Sequence, residues 1–465
     1  MIEINHDLQP ADLLPKIEAL WDASAGKIRS IEQTCPPGSP SPVFTRAGKY
    51  TAQGWTEWTQ GFQYGSAILQ FDATGDAAFV DLGRSRTIDV MPPHITHVGV
   101  HDHGFNNVST YGNLWRLMGE GRIEAHGDWQ RHFYELALKL TGAVQAARWT
   151  VTADGTGYIY SFNGPQSLFV DTIRSCRALA VSHMLGHVLM GENDAKINLL
   201  DRLLQHARNT ARYNIYYGQG RDAFDTPDVR GRTVHESIFN VNNGDYRCPS
   251  TQQGYTPLST WTRGLSWAMS GYPEQLEFLA TRSDAELAEF GGRDAIETMM
   301  LEAARATCDF YISHTPTDGV PYWDTGAPNL HKLGDYLDRP AEPYNPHEPV
   351  DASAAAIGAQ GLLRLGRYLD QKGDEQAGRR YFQAGLTVLD TIFDEPYLSR
   401  DADHQGLLLH SVYHRPNGWD YVPEGQRVPC GESSMWGDYH AREVALYVQR
   451  LARAEPYYTF FGAES

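Results

Sequence analysis

The sequence predicts one large all-α domain, on three observations. Apolar residues return at helical spacing along most of the chain, alternating strand patterns are short and scattered, and no linker is long or polar enough to part independent domains. Taken in order, Leu13, Leu14, Ile17, Leu20 and Trp21 fall at i, i+3, i+4 spacing behind Asp12, which reads as their cap. Residues 36–50 open with the run PPGSPSP and predict a loop after this first helix. Tyr158 to Phe162 is one of the few alternating stretches. Leu199, Leu200, Leu203 and Leu204 mark a further helix. The stretch from Asp351 to Leu369 opens on a capping Asp, and its Ala354, Ala355 and Ala356 would let that helix lie close against a neighbour. Leu386, Leu389, Ile392 and Phe393 continue the pattern. Loops rich in Gly, Pro, Asp and aromatics at 153–157, 316–329 and 339–350 are the kind that gather at one end of such a scaffold and form a site.

With 41% apolar and 21% charged residues over 465 positions, the chain can bury a large core, and wholesale disorder is excluded. Lys and Arg total 39 against 57 Asp and Glu, a formal charge of -18, which disfavours nucleic acid and anionic membranes as partners. An anionic substrate then needs a locally basic pocket. Cys35, Cys176, Cys248, Cys308 and Cys430 lie far apart with no C-x-x-C pair, against a disulfide framework or a zinc knot. The N-terminal residues have no basic or apolar leader pattern and no apolar run nears the ~20 residues of a membrane span, so a cytoplasmic location is expected. G-x-S-x-G, Walker A and G-x-G-x-x-G after a strand are all missing.

Three constellations could carry chemistry. His94, His97, His101, Asp102 and His103 crowd together, yet Pro92, Pro93 and Gly99 make a regular helix doubtful and no clear third zinc ligand accompanies them, so no metal is expected. Asp102 can instead form a carboxylate pair with Asp171, which follows the apolar Leu168, Phe169 and Val170; desolvation there would raise its pKa and suit it to acid catalysis. The competing reading makes Asp171 a helix cap, with Arg174 and Arg177 as surface charges. Finally, Trp55, Trp58, Phe62, Trp149 and the segment from Trp261 through Arg263 to Trp267 supply the aromatics and polar groups that sugars require, though the same spacing also describes helix packing.

Seven blocks taken together resemble glycoside hydrolase family 88, the unsaturated glucuronyl hydrolases: WTEWTQGF (55–62), HDHGF (101–105), TQQGY with STWTRGLSWAMSGY (251–272), VPYWDTGAP (320–328), DASAAAIGAQGLL (351–363), GLLLHSVYHRPNG (406–418) and SSMWGDYHAREVAL (433–446). Family 105, the unsaturated rhamnogalacturonyl hydrolases, fits these blocks less well. The resemblance implies an (α/α)6 barrel, a single domain over 1–465, and a reaction that needs no metal or other cofactor. The substrate would be a lyase-generated oligosaccharide whose non-reducing end is a 4-deoxy uronate with a C4=C5 double bond. It further implies Asp171 as general acid/base and Asp102 as the second essential carboxylate. Trp58, Phe62, His101, Trp149, His235, Gln253, Arg263, Trp267 and Ser433 would bind substrate, with Arg263 a sensible partner for the uronate carboxylate and Ser433 near it. His103, Arg174 and Ser175 depart from the family's usual residues, and residues 430–435 carry no basic side chain, pointing to unsulfated or variably sulfated substrates. A monomer or homodimer is expected. The competing classes are a sugar-binding toroid without activity, which intact Asp102 and Asp171 argue against, and a metal enzyme centred on the histidines.

Overall fold

The computed structural model describes residues 1–54, 57–124 and 127–462; Trp55 lies outside them. Helices alternate along the chain between an outer and an inner ring. The outer ring comprises α1 (Leu14–Thr34), α3 (Ala77–Val90), α5 (Asp128–Ala147), α7 (Leu199–Asn214), α9 (Arg293–Ser313) and α11 (Glu375–Ile392). The inner ring comprises α2 (Gln60–Thr74), α4 (His103–Asn107, a π-turn at Val108–Gly112, and Asn113–Gly119), α6 (Thr172–Ser175 and Arg177–Met184), α8 (Thr262–Ala280), α10 (Ala352–Gln371) and α12 (Met435–Ala452). Each inner helix packs on the next and α12 closes on α2, which is the expected (α/α)6 toroid.

The two rings differ as their sequences dictate. Inner helices are enclosed on every side: α2 is buried from Gln60 through Asp72 and α10 from Ala352 through Gly366. Outer helices show one apolar stripe, as α7 does with Leu199, Leu200, Leu203 and Leu204. Small residues let the inner ring close. A Cβ on Gly361 of α10 would stand 2.4 Å from the Met269 carbonyl of α8. Asp351 caps α10 through the Ser353 and Ala354 amides. Asp12 has a different role: it accepts from the Gln9 amide and closes a 3-10 turn ahead of α1.

Two local expectations are corrected. Residues 36–50, read as a loop, contain most of a β-hairpin, β1 (Pro42–Arg46) with β2 (Lys49–Ala52). Val43, Phe44 and Thr45 favour a strand, and positive φ at Ala47 and Gly48 makes the tight reverse turn that matches strand twist. Arg174 and Arg177 are wholly buried at the toroid axis. Arg174 pairs with Glu274 of α8 at 2.5 Å and Glu443 of α12 at 2.9 Å, and Arg177 reaches Glu443 at 3.3 Å. Charges at such depth persist only when paired in this way.

Short strands lie in the connections between the helices. β3 (Trp149–Val151) pairs with β4 (Gly157–Ile159), so the alternating stretch from Tyr158 is a strand only as far as Ile159. β6 (Val188–Met190) pairs with β7 (Lys196–Asn198). A three-stranded sheet of β5 (Ser167–Phe169), β8 (Glu236–Phe239) and β9 (Tyr246–Ser250) aligns Phe169, Glu236 and Ser250. That register brings the residues just outside the strands, 170–171, 235 and 251–253, to one edge. The five cysteines are unpaired. No helix among the described residues is long and apolar enough to cross a membrane.

Candidate active site

That sheet edge faces the N-terminal turns of inner helices α4, α6 and α8, and together they form a cleft of about 590 Å³. Asp102 precedes α4 and Asp171 precedes α6, each at the helix N-cap position, yet neither side chain caps its helix. The capping reading of Asp171 is therefore wrong, and its carboxylate is free for chemistry. His101 lies between the pair, its Nε2 3.5 Å from Asp171 Oδ1 and 3.8 Å from Asp102 Oδ1. All three residues are buried but line the cleft. Apart from these contacts, Asp171 Oδ1 and both ring nitrogens of His101 have no hydrogen-bond partner within the protein.

The electrostatics of this trio differ from the sequence expectation. Burial pushes Asp171 up, but the hydrogen bond and charge of His101 outweigh it and hold Asp171 below the ordinary carboxylate value. Asp102 is raised, by burial first and by the Asp171 charge, against the pull of His101. His101 is also raised, because the two carboxylates overcome its burial. Desolvation alone therefore does not make Asp171 the acid, because His101 competes with it for a proton.

The walls are aromatic. Trp58 lines one side, stacked on Trp436 with centroids 5.1 Å apart. Phe105 and Trp267 meet at 4.7 Å below, and Phe162 lies parallel to the His101 ring at 6.0 Å. Across the mouth Tyr413, His414 and Trp419 pack together, the amides of Tyr413 and His414 both held by the Asp420 carboxylate. Gln252 and Gln253 close the sheet side.

Trp58, His101, Gln253, Arg263 and Trp267 thus reach the cleft with Asp102 and Asp171, and four expected residues do not line it. Phe62 is a buried support, edge-on to Trp58 at 5.9 Å. Trp149 packs against Gly157 under the Arg202 guanidinium, 3.8 Å from the ring, and Phe162 occupies the wall instead. Ser433 is buried, donating to the Leu408 carbonyl while its amide donates to Thr45 Oγ1, so it fixes the hairpin β1–β2. His235 lies below the surface between Phe169 and Trp261; its Nδ1 accepts from the Gln252 and Gln253 amides, which assigns the proton to Nε2, and burial pushes its pKa down to about 3. Arg263 is at the cleft but committed: Nη1 donates to Asp351 and the Val412 carbonyl, Nη2 to Gln253 and the Tyr413 carbonyl, both at 2.8 Å.

Sequence reasoning missed Gln252, Phe162, Tyr413, His414 and Trp419. The last three sit in or beside the GLLLHSVYHRPNG block, where the density of aromatic residues was the available signal. His103, beside the trio, is structural. His103 spends Nδ1 on Thr141 at 2.7 Å and Nε2 on the His97 carbonyl at 3.0 Å. Among the described residues no group of three or more His, Cys, Asp or Glu is arranged to hold a metal ion.

An (α/α)6 toroid with two buried carboxylates at the floor of an aromatic cleft defines the class, an enzyme acting on glycosides. No protein-family model matches the chain. The unsaturated glucuronyl hydrolase of Bacillus sp. (strain GL1) is 26% identical over 412 residues, covering 87% of this chain and 89% of that protein. That of Formosa agariphila is 26% identical over 404 residues, covering 85% and 80%. An unsaturated chondroitin disaccharide hydrolase of Streptococcus pyogenes serotype M1 is 23% identical, covering 88% and 84%. Among solved structures, the Bacillus sp. GL1 enzyme superposes with a TM-score of 0.68 at 22% identity, over 94% of this chain and 96% of that one. An unsaturated glucuronyl hydrolase specific for heparin gives 0.70 at 20% identity, over 95% and 98%. Over most of its length the chain is thus similar to unsaturated glucuronyl hydrolases, the proteins its motifs resemble.

Proposed function

We propose that this chain is an unsaturated glucuronyl hydrolase that removes a 4-deoxy-Δ4,5-uronate from the non-reducing end of lyase-generated oligosaccharides, acting in the cytoplasm as a monomer or homodimer. The observation that carries the reading is the Asp102–His101–Asp171 trio, buried at the floor of the aromatic cleft with Asp171 Oδ1 committed to nothing but the His101 contact. The C4=C5 bond is an enol ether, so protonation at C4 places positive charge on C5 and the ring oxygen. Asp171 supplies that proton, and the Asp102 carboxylate stabilises the charge. Water then adds at C5 as the Asp171 carboxylate takes its proton. The resulting hemiketal opens to a C5 ketone and a C1 hemiacetal, which expels the aglycone alcohol.

The proton reaches Asp171 when substrate enters. A bound uronate adds a third negative charge beside the trio, which raises the pKa of Asp171 and His101 alike, so the site takes up a further proton and Asp171 becomes protonated beside His101 Nε2, 3.5 Å away. Trp58, Phe105 and Trp267 stack on the sugar, and Gln252 and Gln253 orient its hydroxyls. The test is the ultraviolet absorbance of the C4=C5 bond in unsaturated chondroitin and hyaluronan disaccharides, with chelator present. Steady loss is expected. No loss on these or on rhamnose-linked unsaturated oligosaccharides would refute the proposal and favour a binding toroid.

A further inference from the structure

We infer that Ser175 is a positioning residue that sets the geometry of the Asp102–His101–Asp171 trio, an inference resting on the function proposed above. The two carboxylates come from separate parts of the chain, one ahead of α4 and one ahead of α6. Their relative placement therefore depends on what joins those two segments. Ser175 ends the helical turn that Asp171 begins. Its hydroxyl donates to the His101 carbonyl at 2.7 Å and accepts from the Gly104 amide and from Gln145 Nε2, both at 3.0 Å. Gln145 Nε2 also donates to the same His101 carbonyl at 2.8 Å.

A serine hydroxyl has one proton and two lone pairs, and here all are used. Three of its contacts thus fall on the segment carrying His101 and Asp102 or on the side chain that braces it. The segments are also in backbone contact at this point: a Cβ on Gly104 would stand 2.1 Å from the Ser175 carbonyl oxygen. Ser175, Gln145 and Gly104 are all buried, so water does not substitute for a lost partner. On the opposite side Arg174 ties the same turn to Glu274, Gln360 and Glu443 of the inner ring. The Asp171 turn is held by the ring, and Ser175 fastens the His101 segment to it. Since the His101–Asp171 contact sets where the shared proton rests, loosening the fastening shifts the ionisation of the trio as well as its rate.

The experiment compares S175A, S175T and D171N with wild type by loss of C4=C5 absorbance on an unsaturated chondroitin disaccharide from pH 4.5 to 9, with thermal unfolding of each. For S175A a 10–100-fold fall in kcat is expected, the scale of a misplaced catalytic group, with KM within about threefold. A displaced limb of the kcat/KM–pH profile is expected too, and S175T, which keeps the hydroxyl, should recover most of the rate. An S175A enzyme that melts earlier but keeps the wild-type kcat and pH profile would overturn the inference. If S175A does not fold, Gln145→Met removes the companion donors, and the same outcomes apply to it: a shifted profile supports the inference and an unchanged one overturns it. A wild type without turnover refutes instead the function on which the inference rests.

Discussion

Arg263→Ala separates two roles for a residue that the sequence assigns to the substrate carboxylate. In the structure the guanidinium is buried between the rings of Trp261 and Trp436, its Cζ 4.7 Å from each centroid. All four Nη protons go to protein acceptors, among them Asp351 Oδ2 at 3.2 Å. Asp351 is itself wholly buried, and its Oδ1 already caps α10, so removing Arg263 leaves Oδ2 an uncompensated charge. Breaking a buried pair from one side costs about 3–5 kcal/mol. At ~2.1 cal/mol/K per residue, a chain of this length unfolding as one unit loses about 1 °C per kcal/mol, so Tm should fall by about 3–5 °C. Activity should fall as well, because Gln253 and the 412–413 backbone lose their anchor. A residue serving only the uronate would behave otherwise, weakening binding by about 1.5–3 kcal/mol with the fold intact. Differential scanning calorimetry with steady-state kinetics on one preparation decides between them. A variant with wild-type Tm and only a raised KM would refute the structural assignment.

Asp171→Asn should lower kcat by at least about 10²–10⁴-fold, the usual contribution of a general acid, while Tm and substrate binding by calorimetry stay near wild type; near-normal turnover would remove Asp171 from the role. His101→Gln should remove a stability increment that depends on pH. The folded pKa of His101 is raised, so its pairing with the carboxylates is fully present below the unfolded value of about 6.5 and fades as pH rises through the folded value. Asp171 is depressed, so its share is present above about 3.9 and fades only as pH falls towards its folded value. The gap in denaturant midpoint between wild type and variant should therefore be widest near pH 4–6.5 and shrink towards pH 9, and a gap that is flat or grows with pH would contradict the assignment.

What was legible in the sequence and what was not divide along one physical line, the sequence distance of the partner. The start of α10 is readable because the capping Asp351 and its small residues act within a few positions, and its burial follows from the apolar count alone. HDHGF and Asp171 are readable from family motif, since the chemistry restricts those positions. Arg174 and Arg177 are misread as surface charges because nothing nearby neutralises them; Glu274 and Glu443 arrive from helices about a hundred and about 270 positions further on. The same holds for Arg263, whose charge partner Asp351 is 88 residues away. Trp149, Phe62 and Ser433 keep the residue types of a sugar site, but their side chains pack into the protein, Trp149 from β3, Phe62 from α2 and Ser433 against the β1–β2 hairpin.

The charge balance of the cleft explains how a strongly acidic protein can accept an anionic sugar. Arg263 carries no net charge to offer, since Asp351 matches it. Arg148 is different: its hydrogen bonds run to the carbonyls of Val98, Tyr160 and Ser161, and it lies close enough to Asp102 to influence its ionisation. Arg148 and His101 are the cationic or titratable bases that face Asp102 and Asp171 at the cleft floor, and both act against the charge of those carboxylates. A uronate entering it tips the balance by one negative charge in a region from which water is largely excluded, and the least costly response is to move or take up a proton. In this arrangement the repulsion that a carboxylate meets at the cleft floor is also what drives Asp171 towards its acid form. On the proposed function, an uncharged sugar would stack on the same aromatic walls without adding that charge, so selection for an acidic substrate and protonation of Asp171 would share one electrostatic origin.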